Sequence, residues 1–147
     1  MANHIFYKGQ ALWSQMDPNM HLRHSAYADF CAQARSNMLQ EFGLSLAVLN
    51  AQNIGPILFR EELKYYREVG LNEIVQVSVE LSRFNRNNAR FSFRHTILKE
   101  NDVQAAIVEV DGAWIDTVKR KLTGIPPSWM EMISKLPRTD DYAEIGD

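Results

Sequence analysis

Residues 13–42 read WSQMDPNMHLRHSAYADFCAQARSNMLQEF, and the change of character halfway along this stretch decides how the rest of the chain is read. In its second half Tyr27, Phe30, Cys31, Ala34, Met38 and Phe42 recur at three- and four-residue steps, which places them on one face of a helix. Ala26, Ala28, Ala32 and Ala34 raise helix propensity and keep the cylinder thin, so other backbone can approach it from several sides. Ser25 is the expected N-cap, and Gly43 sits where a left-handed stop residue belongs. The first half is a turn dense in polar groups: Asp17, Asn19, His21, Arg23 and His24. They collect at the helix N-terminus, where free N–H groups and the positive end of the macrodipole favour an anion or a developing oxyanion.

Outward from the helix the chain alternates. Residues 4–12, with Ile5, Phe6 and Tyr7, read as a first strand, and residues 44–53 lean helical. Four strand-like runs follow, over residues 57–67, 73–84, 90–98 and 103–118. In the second, Val75, Val77, Val79 and Leu81 face one way; in the third, Phe91, Phe93, His95 and Ile97 do. Asn87-Asn88 and residues 100–102 are hairpin-type connections, and Asp111-Gly112 predicts a bulge or bend in the last run. Pro126-Pro127 opens a short helix. The expected architecture is α+β: about five antiparallel strands whose apolar face is covered by the one long helix. Residues 1–136 are expected as a single domain and residues 137–147 as an acidic, mobile tail. Open sheet edges invite dimerisation.

Composition narrows the class. At 46% hydrophobic and 23% charged the chain is globular rather than disordered, and a net charge of −2 gives no pull toward nucleic acid. No apolar run is long enough to cross a membrane, and residues 1–8, MANHIFYK, lack a signal-peptide core. Cys31 has no partner for a disulfide and reads as a buried, inert thiol. A cytoplasmic protein is expected. If the polar loop were helical from Pro18, then Asp17, His21 and His24 would share a face, yet no fourth metal ligand is evident. Neither a metal nor another cofactor is expected.

The order D-x-N-x-H-x-x-[NH]-x-x-Y, filled by Asp17, Asn19, His21, His24 and Tyr27, resembles the hotdog-fold acyl-CoA thioesterases, and among them the 4-hydroxybenzoyl-CoA thioesterase-like family. The resemblance covers residues 5–120 because the strand pattern follows suit. It implies a sheet wrapped around a central helix, and hydrolysis of an acyl-CoA thioester with Asp17 as general base or nucleophile. It also implies an oxyanion site at the helix N-terminus and an active site at a dimer interface, in a homodimer or dimer of dimers. Two residues depart from the pattern: Met20 stands where many relatives have Gly, and Arg23 where many have Asn.

On their own chemistry these residues allow two readings each. Asp17, held extended before Pro18, is a catalytic carboxylate or an Asx-turn residue without catalytic role. His24 is a catalytic group whose N–H, with that of Ser25, forms the oxyanion site, or it fills a cap or subunit contact. Asn19, His21 and Tyr27 are candidate substrate contacts; read plainly, the first two brace the loop and Tyr27 is core. Arg83, Arg86, Arg90 and Arg94 surround the 87–88 hairpin, and Arg83, Arg86 and Arg90 are candidates for the phosphates of CoA, against a solvated hairpin carrying edge charges. A non-catalytic acyl-CoA-binding module is the alternative to a hydrolase.

Overall fold

The computed structural model describes residues 4–146. Alternation of apolar and polar residues becomes a sheet whose central strands are β3 (Ile74–Asn85), β4 (Phe91–Lys99) and β5 (Val103–Asp116), flanked by β1 (Ile5–Gln10) and β2 (Ile54–Tyr65). Their order is β1-β3-β4-β5-β2, antiparallel throughout. The inward-facing residues are those the period-two pattern selects: Val75, Val77, Val79 and Leu81 from β3, and His95 and Ile97 from β4, are fully buried.

Against that face lies α1 (His24–Glu41). Its buried residues, Ala26, Tyr27, Phe30, Cys31, Ala34 and Met38, are the expected stripe, with Phe42 packed against the core just beyond the last turn. The helix packs on β1, β3 and β5, and its alanines let those strands come close. Gly43 follows the helix at φ +97°, a left-handed conformation that glycine adopts without steric cost. Arg23, not Ser25, is the N-cap, and it caps through backbone geometry alone. Two short helices, α2 (Leu46–Ala51) and α3 (Pro127–Ser134), close the end of the core beyond α1. Trp129 and Ile133 of α3 are buried, with the Trp129 ring tilted 60° to that of Trp114 at a centroid distance of 5.9 Å.

The sheet has seven strands where five were expected. The added pair are β6 (Lys121–Thr123), on the end of β5, and β7 (Arg138–Ile145), parallel to the second half of β3. β7 occupies the segment that composition marks as a mobile tail. Ion pairs hold it: Asp141 takes Arg94 at 3.1 Å and Glu144 takes Arg86 at 3.4 Å.

The irregularity expected at Asp111-Gly112 falls at that level but on the partner strand. Leu58 pairs with Gly112 and Arg60 with Asp111, which leaves Phe59 of β2 as the extra residue. Gly112 is required there, because a Cβ would overlap the Ile57 carbonyl oxygen and the Phe91 ring. A curled antiparallel sheet around one buried helix is the hotdog arrangement implied by the resemblance.

Candidate active site

The loop before α1 is built by its own backbone. Asp17 N–H donates to the His21 carbonyl at 2.8 Å, and Met20 N–H donates to the Asp17 carbonyl at 2.9 Å. Met20 pays for the tight reversal with φ +63°, a conformation easy for the glycine common at this position in the resembled family. The Asp17 carboxylate takes part: Oδ1 accepts from Asn19 N–H at 2.9 Å and from His21 N–H at 3.1 Å. This is an Asx-turn, and it fixes the carboxylate without occupying both oxygens. Among the described residues nothing donates to Oδ2.

Each neighbouring side chain has a definable place. His21 Nε2 lies 3.1 Å from Glu68 and braces the loop against the end of β2, while Asn19 contributes its backbone N–H to the turn. Arg23 turns its guanidinium to the Ser14 carbonyl at 2.6 Å and to Ser25 Oγ at 3.0 Å. The extra cation expected beside the site is thereby tied into the loop. Since α1 starts at His24, the loop is not helical and does not set Asp17, His21 and His24 on one helical face. The N–H groups of His24 and Ser25 have no acceptor among the described residues. No acidic side chain neutralises the first turn of this 18-residue helix.

Asp17 and His24 line a cavity of about 360 Å³ together with Asn19, His21, Tyr27, Tyr65, Tyr66, Arg67 and Glu68 among others; Ser25 is exposed and is not part of that lining. Tyr27 is nearly buried and sits edge-on to Tyr65, ring centroids 5.1 Å apart. Burial, with the charges of Tyr65 and Asp17 adding to it, pushes the Tyr27 hydroxyl up to about 12. It stays a protonated donor, and no protein group takes its hydrogen bond among the described residues. The Tyr65 hydroxyl donates to the His24 carbonyl at 3.3 Å and joins the end of β2 to the first turn of α1.

Sequence reading missed Tyr65, Tyr66, Arg67 and Glu68 as part of the site. The signal was the run YYRE at the end of a strand, which becomes informative only once that strand end is known to meet the helix N-terminus. The hairpin arginines are not brought to this cavity. Arg86 pairs with Glu144, and Arg90 lies 5.1 Å over the ring of Phe59. Arg83 lines a separate outer groove with Arg60 and Arg94, where Glu109, Asp111 and Asp141 supply opposing charge. Cys31 is fully buried and pushed up to about 12, chiefly by that burial. No His, Cys, Asp and Glu cluster suited to a metal occurs among the described residues, and no helix there is long and apolar enough to cross a membrane.

A sheet curled around one helix, with a fixed carboxylate in the loop before that helix, defines a hotdog-fold domain. The Thioesterase-like superfamily model matches residues 11–133, and the chain belongs to that family. Solved structures are similar over most of their length. A hypothetical protein from Staphylococcus aureus in complex with CoA superposes with TM-score 0.84 at 20% identity, covering 95% of this chain and 89% of the other. A DHNA-CoA thioesterase from Staphylococcus aureus gives 0.81 at 21%, covering 88% and 87%. A 1,4-dihydroxy-2-naphthoyl-CoA thioesterase from Synechocystis gives 0.77 at 17%, covering 88% and 95%. No match is found among curated protein sequences.

Proposed function

We propose that the protein hydrolyses an acyl-CoA thioester to the free acid and CoA, with Asp17 as the catalytic carboxylate. The observation that carries this reading is that Asp17, whose Oδ2 has no hydrogen-bond partner among the described residues, lines the same cavity as His24 at the N-terminus of α1. The thioester carbonyl oxygen sits against the N–H groups of His24 and Ser25, which stabilise the charge that develops on it. Asp17 either takes a proton from an attacking water or attacks the carbonyl carbon itself. In both cases the tetrahedral centre collapses by breaking the C–S bond, and the CoA thiolate leaves and is protonated; the water route gives the free acid at once, whereas direct attack leaves a mixed anhydride on Asp17 that a water then hydrolyses to the acid and the free carboxylate. Tyr27 donates to the substrate, and Asn19 and His21 hold the turn that aims the carboxylate.

Two copies complete the site. The outer edge of β2 is unpaired among the described residues and shows exposed Leu58, Phe59 and Tyr65. An apolar edge of 12 residues is a template for a symmetric partner, so we assign a homodimer through β2, able to pair again into a tetramer. Arg83 and Arg90 are exposed and remain available to the nucleotide phosphates. Arg86, held by Glu144, would have to exchange partners to reach them.

The use of Oδ1 in an Asx-turn also fits a module that binds acyl-CoA without cleaving it. Thiol release from a panel of acyl-CoAs, measured for the native protein and for Asp17→Asn, separates the two. Release that depends on Asp17 supports hydrolysis; binding with no release from any member supports the module.

A further inference from the structure

A second cavity, of about 350 Å³, lies under the other half of α1. Its walls are apolar, among them Leu39, Leu44, Leu49, Phe91, Phe93 and Trp114. The one charged side chain in its lining is Arg35. The guanidinium donates through one NH₂ to His95 Nε2 at 3.1 Å, and the opposite ring nitrogen of His95, Nδ1, is 2.8 Å from the Val108 carbonyl oxygen. Because that oxygen can only accept, Nδ1 carries the hydrogen and Nε2 offers a lone pair to Arg35. His95 is therefore neutral and brings no charge to Arg35. Among the described residues no carboxylate is within ion-pair distance of Arg35. Glu61, on the exposed edge of β2, is felt electrostatically but makes no bridge.

A half-buried guanidinium beside aromatic and aliphatic walls without a counter-anion is partly desolvated, and a carboxylate delivered there would offset that cost through a two-pronged hydrogen bond. The placement says where such a carboxylate comes from. α1 and β2 run side by side in opposite directions: Tyr27 meets Tyr65 at one end, while Leu39 shares this cavity with Pro56 at the other. From His24 to Arg35 the helix advances roughly 16 Å, and helical side chains lean back toward the N-terminus, which points Arg35 toward the Asp17 end. At ~30 Å³ per small group the cavity holds on the order of ten heavy atoms.

We infer that this cavity takes the far end of the acyl chain and that Arg35 selects acyl groups terminating in a carboxylate, that is, the thioester of a medium-length dicarboxylic acid. The inference rests on the hydrolase reading for its substrate but not for its binding site. His95 is a positioning residue: its lone pair holds Arg35 in the cavity without cancelling its charge.

Suberoyl-CoA and octanoyl-CoA have chains of the same length and differ in the terminal carboxylate. Thiol release from both is measured for the native protein, Arg35→Met and Arg35→Lys. The native protein should favour suberoyl-CoA by about tenfold or more in kcat/KM, the scale of a hydrogen bond to a charged group. Arg35→Met should erase or invert that ratio, and Arg35→Lys should keep part of it. Equal turnover of the two substrates by the native protein, or a ratio untouched in Arg35→Met, overturns the assignment. Calorimetric titration with free suberate and free octanoate needs no hydrolysis. Tighter suberate binding that is lost in Arg35→Met supports the site even if no thioester is cleaved, and equal binding of the two acids overturns it.

Discussion

The two ends of α1 handle polarity in opposite ways. At the N-terminal end polar groups are satisfied by backbone a few residues away, and one carboxylate oxygen and two N–H groups are left without a partner among the described residues, at the side of a cavity that Asp17 and His24 line. In the C-terminal half a half-buried cation and a fully buried histidine meet beside apolar walls, joined across 60 residues of sequence. The lesson is one of coupling. A locally satisfied site can lose its reactive group with little effect on the fold, whereas a site assembled from distant strands cannot be altered without disturbing the core.

The sharpest contrast should come from Asp17→Asn. The amide oxygen keeps accepting from Asn19 and His21, so the turn survives while the charge goes. Thiol release is expected to fall by about 10²- to 10⁴-fold with the melting temperature nearly unchanged. A parallel fall in both would break the comparison. Next, Met38→Ala, at a fully buried position in the C-terminal half, should cost ~2–5 kcal/mol in urea unfolding, because the cavity left between helix and sheet cannot collapse fully.

His95 sharpens the same point through pH. Burial, aided by the Arg35 charge, pushes its pKa down to about 3. The folded state therefore refuses a proton that the unfolded chain accepts below its ordinary value of about 6.5. The stability tied to neutral His95 is fully present above about pH 6.5 and is lost as pH falls toward 3. Urea midpoints across that window should flatten in His95→Gln; an unchanged slope would place the acid sensitivity elsewhere. The smallest effect belongs to the open end. Tyr65→Phe removes one long, exposed hydrogen bond to the His24 carbonyl and should cost no more than about 0.5–1.5 kcal/mol by the same measurement.

How much was legible in advance follows the range of the interactions. The stripe from Tyr27 to Met38 and the alternation in β3 and β4 are local patterns imposed by a single buried face, and they read directly. β2 read less well, because the extra residue at Phe59 shifts its register and an edge strand buries little on either face. β7 was unreadable for a different reason. RTDDYAEI has no apolar alternation, and its acids become strand residues only beside Arg86 and Arg94, which arrive from another part of the chain. The candidate site divides the same way: the polar loop announces itself, while Tyr65 to Glu68 join it only through the fold. Arg35 and His95 look ordinary in sequence, since nothing local says that an arginine on a helix will find its partner on a strand.

β1 covers only the first half of the free side of β3, through Ser78, and β7 takes over from Leu81. A chain shortened after Leu136 would uncover backbone donors and acceptors along the second half of that strand, strip Arg86 of Glu144, and leave Arg94 with Glu109 but without Asp141. The freed border would be flat, hydrogen-bond-hungry and cationic, fit to recruit stray strands from other molecules. The acidic C-terminal ribbon thus serves as a selvedge, keeping the woven sheet from fraying into its neighbours.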